Sequence, residues 1–247
     1  MELGLSGKSA IVCGASSGLG LGVATALAAE GVRVTMVARR ESVLTERAEE
    51  IGAHPVAGDL SDPSTAARVV DLAVAWAGGL DIVVWNGGGP PPKTASQVGP
   101  DDLQAAVNLL YLPAVRLIQA ALPHLNNSAA GRILAITSSG AKEPIPHIAL
   151  SNAIRPGLAG YLKSLAGDLA PAGITVNCIA PGRIATDRMA QLYPDGPPAD
   201  YVNEIPMRRF GAPEDLGAVA TFLASERASY VTGTTLNVDG GLARTIF

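Results

Sequence analysis

Short apolar runs alternate along the chain with longer stretches in which apolar residues recur at helical spacing. The first run, residues 10–13, passes through a glycine-rich turn at 14–20 into a helical pattern over 21–30, whose Val23, Ala24 and Leu27 share one face. Gly31 stands where a helix C-terminus commonly takes a left-handed residue. A β-branched run at 32–37 predicts the second strand, and 41–51 returns to helical spacing. Residues 54–57 predict a third strand. Asp62 and Pro63 read as the N-cap and first residue of a helix over 64–77, followed by a strand at 81–85. Beyond lie a helix over 101–125 (bent or interrupted at Pro113), a strand at 132–137 and a helix over 151–170. A strand at 174–179, a helix over 213–224 and a strand at 236–238 complete the pattern.

Strands that alternate with helices in this way predict an α/β fold whose parallel sheet is covered on both faces. Such strands should be continuously apolar, and Ile82-Val83-Val84 and Ile133-Leu134-Ala135-Ile136 are. No low-complexity linker and no repeat beyond the βα rhythm interrupts residues 1–247, so one domain is expected.

Composition narrows the function classes. Nearly half of the residues are apolar, with many small side chains and few aromatic rings, which suits helices packed closely on a sheet. A formal charge of −4, with no run of basic residues longer than a pair, argues against a nucleic-acid surface and a polybasic membrane patch. The most apolar long stretch, 107–125, carries Asn108, Arg116, Gln119 and His124, so no membrane span is expected. Cys13 and Cys178 lie in apolar runs and read as buried residues of a reducing compartment, a disulfide being the minor alternative. No secretory leader is evident, and the expectation is a soluble cytoplasmic protein without a metal site.

Candidate chemistry concentrates where strands end. Strand, glycine turn and helix together form a phosphate-binding junction. Glycine lets the backbone approach closely, and the helix N-terminus offers unpaired N–H groups to an anion, with Ser16 and Ser17 adding hydroxyls. An ordinary glycine turn is the alternative at this point. Further Pro- and Gly-rich segments at 87–92, 140–146 and 181–206 also follow predicted strands, where open parallel sheets bind ligands. The longest, 182–206, is expected to form a substrate lid.

Several motifs now coincide in order and spacing. They are Gly14-x-x-x-Gly18-x-Gly20, Asp59-Leu60, Asn86-Gly87-Gly88, Ile136-Thr137-Ser138-Ser139, Val176-Asn177-Cys178-Ile179-Ala180-Pro181-Gly182 and Val238-Asp239-Gly240-Gly241. Over essentially its whole length the chain resembles the short-chain dehydrogenase/reductase family, the bacterial 3-oxoacyl-carrier-protein reductases in particular. The run from Pro206 through Arg208, Arg209 and Gly211 to Asp215 is similar to that subgroup, as is Phe222-Leu223-Ala224-Ser225.

The resemblance implies a Rossmann-type doubly wound sheet in three αβα layers, a nicotinamide dinucleotide, a small-molecule substrate and a homo-oligomer, tetramer or dimer. By position, Gly14, Ser16, Ser17, Gly18, Leu19 and Gly20 would line the pyrophosphate and adenosine ribose. Asp59 and Leu60 would hold the adenine, and Asn86, with Gly87 and Gly88, would sit at the end of the fourth strand. Pro181, Gly182, Ile184 and Thr186 would face the nicotinamide amide. Asp59 could instead open a helix, and Thr186 could simply cap a loop.

Cofactor type has its own physical argument. A site for NAD usually ends its second strand in a carboxylate that bonds the ribose 2′-OH. Here Ala38 holds that place, followed by Arg39 and Arg40. A guanidinium can bind a 2′-phosphate that a carboxylate would repel, so NADP(H) is favoured over NAD(H), with Arg39 as the favoured contact. Two solvated arginines at a helix start are the alternative.

The active-site pattern departs from the family, whose set is Asn-Ser-Tyr-Lys with tyrosine and lysine four apart on one helix. Asn108 and Ser138 match the first two. Registering the helix on Ser164-Leu165-Ala166-Gly167-Asp168-Leu169-Ala170-Pro171 places Ser151 at the tyrosine and Arg155 at the lysine. A serine hydroxyl is a much weaker acid than a tyrosine beside a cation, and Arg155 keeps its proton. Arg155 could still bond the nicotinamide ribose and stabilise an oxyanion. A divergent branch of the family resembles the chain here, through Ser151-Asn152-Ala153-Ile154-Arg155 and Gly88-Gly89-Pro90-Pro91-Pro92.

His147, or a water held by Ser138 and Ser151, is the candidate proton source, although a lone histidine is often only solvated. The expected function is an NADP(H)-dependent oxidoreductase acting on a carbonyl or alcohol, with acyl or polyketide-type molecules as the candidate substrates. A dinucleotide-binding protein without redox turnover, and a non-redox lyase or isomerase on the same scaffold, are the alternatives.

Overall fold

The computed structural model describes residues 2–193, 196–198 and 200–246, with the backbone alone at Arg188, Gln191 and Leu192. Strands β1 Ser9–Cys13, β2 Arg33–Ala38, β3 His54–Ala57, β4 Ile82–Asn86, β5 Arg132–Ile136, β6 Thr175–Pro181 and β7 Thr235–Val238 form one sheet. Their order is β3-β2-β1-β4-β5-β6-β7, and every neighbouring pair is parallel. Strand ends fall within two residues of the sequence pattern.

The pleat divides the core. Ile11 and Cys13 of β1 face one layer, while Ala10 and Val12 face the other. The first layer holds α3 Thr65–Ala77, α5 Leu112–Leu125 and α6 Ala149–Leu169, through Val69, Leu117, Ile118, Leu158 and Leu162. The second holds α1 Gly18–Ala29, α2 Glu41–Ile51 and α9 Pro213–Ala224, through Val23, Leu27, Leu44, Leu216 and Leu223. Helix α4 Pro100–Leu110 packs beside α6 through Ala106, Leu110, Leu150 and Ile154.

Local chemistry moves three helix boundaries. Asp62 does not cap α3. Its carboxylate accepts from the N–H and hydroxyl of Ser64, and the helix opens two residues later than predicted, after Ser64 as N-cap. The helix expected over 101–125 is two helices that break at Tyr111, so that Pro113 falls in the first turn of α5, where its missing N–H costs nothing. Together they are long and apolar enough by composition to cross a membrane, but α5 buries Leu117, Ile118, Ala121 and Leu125 against the sheet. Helix α6 begins two residues before Ser151 and continues through Pro156. Its Ala153, Gly157 and Gly160 lie on the exposed face rather than against the sheet.

The segment 182–206 carries two short helices, α7 Asp187–Leu192 and α8 Asp200–Asn203. Pro194, Asp195 and Ala199 of the expected lid lie outside the described residues, as do Met1 and Phe247 of the expected domain. Arg183 ties the segment together: its guanidinium sits 3.9 Å over the Tyr201 ring, donates to the Tyr201 carbonyl and pairs with Glu204. The Tyr193 and Tyr201 hydroxyls are 2.9 Å apart.

Close approach dictates the glycine at 20. A Cβ there would stand 2.2 Å from the Gly14 carbonyl oxygen. Gly20→Ala is expected to cost about 2–3 kcal/mol by overpacking, a fall of about 5–10 °C in Tm by differential scanning fluorimetry. Gly167→Ala, on the open face of α6 with nothing within 4 Å, should instead gain about 0.5–1 kcal/mol. Equal Tm values for the two variants would contradict the packing described.

Candidate functional site

A cleft of about 870 Å³ opens over the carboxyl ends of β1, β2, β4, β5 and β6. It lies where the strand order reverses between β1 and β4, the place at which open parallel sheets bind ligands. Its size is within the range of small-molecule and cofactor sites.

The glycine turn forms one wall. Gly14, with φ +60°, brings its backbone against Asn86, whose Nδ2 lies 3.5 Å from the Gly14 carbonyl oxygen. Ser17 is the N-cap of α1 but makes no side-chain cap bond, so the first N–H groups of the helix stay open to the cleft. Arg40 Nη2 instead donates to the Ser16 and Ser17 hydroxyls, at 3.3 and 3.2 Å. Arg39 and Arg40 both line the cleft, and Arg39 makes no hydrogen bond among the described residues. Asp59 accepts from the N–H and hydroxyl of Ser61, bonds that hold its carboxyl below the usual range, helped by the Arg39 charge.

The start of the segment 182–206 forms the far wall. Thr186 opens α7 and lies opposite Gly18, and Gly182 packs against Asp239 so tightly that a Cβ would stand 2.6 Å away. Asp239 accepts from the N–H groups of Gly241 and Ala243, which shapes the Asp-Gly-Gly turn after β7.

At the inner end stands Arg155, 8 % exposed. Its Nε donates to Ser151 Oγ, its Nη1 to the Ile136 carbonyl at the end of β5, and its Nη2 to the Gly88 carbonyl after β4, each at 3.1 Å. Burial, with no carboxylate to oppose it, pushes the guanidinium down to about 10. Two further contacts fix the neighbouring loops. Asn152 Nδ2 donates to the Ile145 carbonyl and its Oδ1 accepts from the Ile145 N–H, while the Ala149 N–H donates to the Lys93 carbonyl. Lys93 pairs with Asp102 at 2.7 Å.

Of the residues singled out in the sequence, Gly14, Ser16, Ser17, Gly18, Leu19, Arg39, Arg40, Asp59 and Leu60 line one half of the cleft. Asn86, Gly87, Gly88, Arg155, Gly182, Ile184 and Thr186 line the other. Gly20 and Pro181 support the wall from behind. The proposed catalytic group is less united. Ser151 is buried under Arg155; Ser138 Oγ accepts from the Gly140 N–H; neither lines the cleft. Asn108 is exposed on α4 and accepts from Gln104. His147 is exposed, holds a left-handed φ of +65°, and lies outside the lining.

Sequence reasoning passed over Trp85, Leu109, Thr137, Asp187 and Met189, which also line the cleft, and gave Asn152 no role. Trp85 was legible as the last residue before Asn86 on a strand whose carboxyl end was already marked. Burial pushes the Cys13 thiol up to about 12 and the Cys178 thiol up to about 11, so both free cysteines are poor nucleophiles.

Comparison with known proteins gives the same picture from another side. A family model described as enoyl-(acyl carrier protein) reductase matches residues 14–243. The pig protein dehydrogenase/reductase SDR family member 4 is 33 % identical over 97 % of this chain and 88 % of its own. The L-sorbose reductase of Gluconobacter frateurii, solved with NADPH and L-sorbose, superposes with a TM-score of 0.89 at 32 % identity over the full length of both chains. The 3-ketoacyl-(acyl-carrier-protein) reductase of Brucella melitensis, solved with NADH, gives 0.89 at 33 % identity over 96 % of this chain and 99 % of that one. With a family model matching residues 14–243 and a relative 33 % identical over 97 % of the sequence, the chain belongs to the short-chain dehydrogenase/reductase family.

Proposed function

We propose that the protein is an NADP(H)-dependent oxidoreductase that acts on the carbonyl or alcohol group of a small molecule. The observation that carries this is the wall of the cleft: a turn in which Gly14, Gly18 and Gly20 bring the backbone close, an uncapped helix N-terminus behind it and two arginines beside Ala38. A dinucleotide fits these residues. The Gly14–Gly20 backbone would hold the pyrophosphate, Asp59 and Leu60 the adenine, and the foot of the lid the nicotinamide amide. When bound, the nicotinamide supplies or accepts hydride.

Arg39 is the residue assigned to a 2′-phosphate, because none of its donors is committed among the described residues, while Nη2 of Arg40 is held by Ser16 and Ser17. The structures solved with NADPH and with NADH show that both cofactors occur among similar proteins, so the preference rests on these side chains. Calorimetric titration should find NADPH bound at least about tenfold tighter than NADH, one charge-assisted hydrogen bond being worth about that ratio. Arg39→Ala should erase the difference. Equal affinities in the wild-type protein would contradict the assignment.

Arg155 and Ser151 replace the family's lysine and tyrosine, and neither supplies a proton near neutrality. Of the two proton sources weighed above, His147 faces solvent and lies outside the cleft lining. His147→Gln should therefore leave turnover within about twofold, with no inflection near the ordinary imidazole value in the wild-type pH profile. A His147→Gln loss of more than about tenfold would restore the histidine to the mechanism.

A second reading, nucleotide binding without redox turnover, is favoured by that same lack of an acid. Transfer of deuterium from 4-deuterated NADPH to a product from a carbonyl panel separates the two. Label transferred by the wild-type protein supports the oxidoreductase; label seen only after Ser151→Tyr with Arg155→Lys supports the binding protein.

The outward Ala153, Gly157 and Gly160 of α6 support a homo-oligomer, since small residues let helices approach closely. Gly160→Lys should shift the molecular mass by sedimentation equilibrium toward the monomer. A wild-type protein that is already monomeric would remove this element.

A further inference from the structure

The charge on Arg155 has no counter-charge among the described residues. Its three protein bonds all go to neutral oxygens, the Ser151 hydroxyl and the carbonyls of Ile136 and Gly88. A guanidinium has five N–H donors, so two remain without an acceptor among the described residues, on a side chain that lines the cleft. The other buried arginine differs on both counts. Arg132, at the amino end of β5, feels the charge of Glu226 and lies outside the cleft. Nicotinamide ribose hydroxyls could occupy the free donors of Arg155, but they are neutral and would leave the charge as it is. A cation held in a site of low dielectric draws the partner that neutralises it.

We propose that the inner end of the cleft is an anion site, in which Arg155 takes the carboxylate of a small organic acid that also carries the reacting carbonyl or alcohol. The planar fork of arginine matches a carboxylate better than it matches a hydroxyl or an amide. That the acid is a redox substrate rests on the function proposed above; that the site prefers a carboxylate rests on Arg155 alone. Ser151 is then a positioning residue, since its Oγ fixes the Nε edge of the guanidinium.

Calorimetry tests this without turnover. Pyruvate and acetoacetate are titrated against their methyl esters, with and without NADP⁺, which cannot reduce them. The acids should bind at least about tenfold tighter than the esters, the ratio expected of one hydrogen-bonded charge. Arg155→Gln should collapse that ratio to about one and Arg155→Lys should keep part of it. Circular dichroism and Tm show whether each variant is folded. Should both variants unfold, the wild-type protein still decides: rising salt must weaken the acids and leave the esters unchanged.

Acid and ester binding alike in the wild-type protein overturns the proposal, as does a ratio preserved in folded Arg155→Gln. It falls equally if Arg39→Gln abolishes the ratio, or if NADP⁺ displaces the acids, because Arg155 would then serve the cofactor's own phosphates. Failure of NADP⁺ itself to bind would instead overturn the function proposed above, and the acid-to-ester ratio without nucleotide would still decide the anion site.

Discussion

The inner half of the cleft depends on one buried cation. Arg155 reaches from α6 to the carbonyls of Ile136 and Gly88, which belong to β5 and to the loop after β4, and its third bond returns to Ser151 on its own helix. Charge-assisted bonds of this kind contribute about 1.5–3 kcal/mol each, while removing the guanidinium from water costs several kcal/mol. The two are of one order, so the side chain is held firmly without being fully compensated. A lysine at this place offers a point charge and no planar fork, and could not bridge the same three oxygens in the same way. If Arg155 holds the family's lysine position, as the sequence register proposes, the exchange turns a mobile cation beside an acid into a strap across the floor of the site.

The rest of the site is arranged around that strap by backbone. Both walls are built from main chain brought into near contact: Gly14 and Gly20 on one side, Gly182 against Asp239 on the other. Backbone walls place N–H dipoles rather than side chains toward a ligand, which suits phosphate and amide groups and carries little information about a substrate. Under the proposed function, discrimination among substrates falls to the few larger side chains that line the cleft, Arg155, Trp85, Leu109 and Met189.

How much of this the sequence showed follows from the range over which each feature acts. The βα rhythm and the continuous apolar strands are local, and they yielded the sheet and its two helical layers. The break at Tyr111 and the late start of α3 also have local causes, proline geometry and the Asp62–Ser64 turn, but several nearby boundaries satisfy the same pattern. What could not be read is the direction of side chains within a correctly placed segment. His147 and Ser138 were near the mouth of β5 in sequence, yet the left-handed φ of His147 turns it to solvent and the Gly140 N–H occupies Ser138. The outward face of Gly160 was set only when Leu158 and Leu162 placed α6 on the sheet.

The substitutions at the active centre are best understood together rather than as two losses. With tyrosine present, a neighbouring cation is useful because it stabilises the phenolate that forms as the proton leaves. With serine there, no anion forms on the protein, and the same cation would stand buried with nothing to stabilise. An arginine that spends three donors on neutral protein oxygens answers part of that problem by fixing its position, and two open donors answer the rest only if a ligand brings negative charge. On the proposed reading, loss of the acid and gain of a fixed guanidinium point the same way: the fixed charge would act on what the substrate carries, and a water would supply the proton.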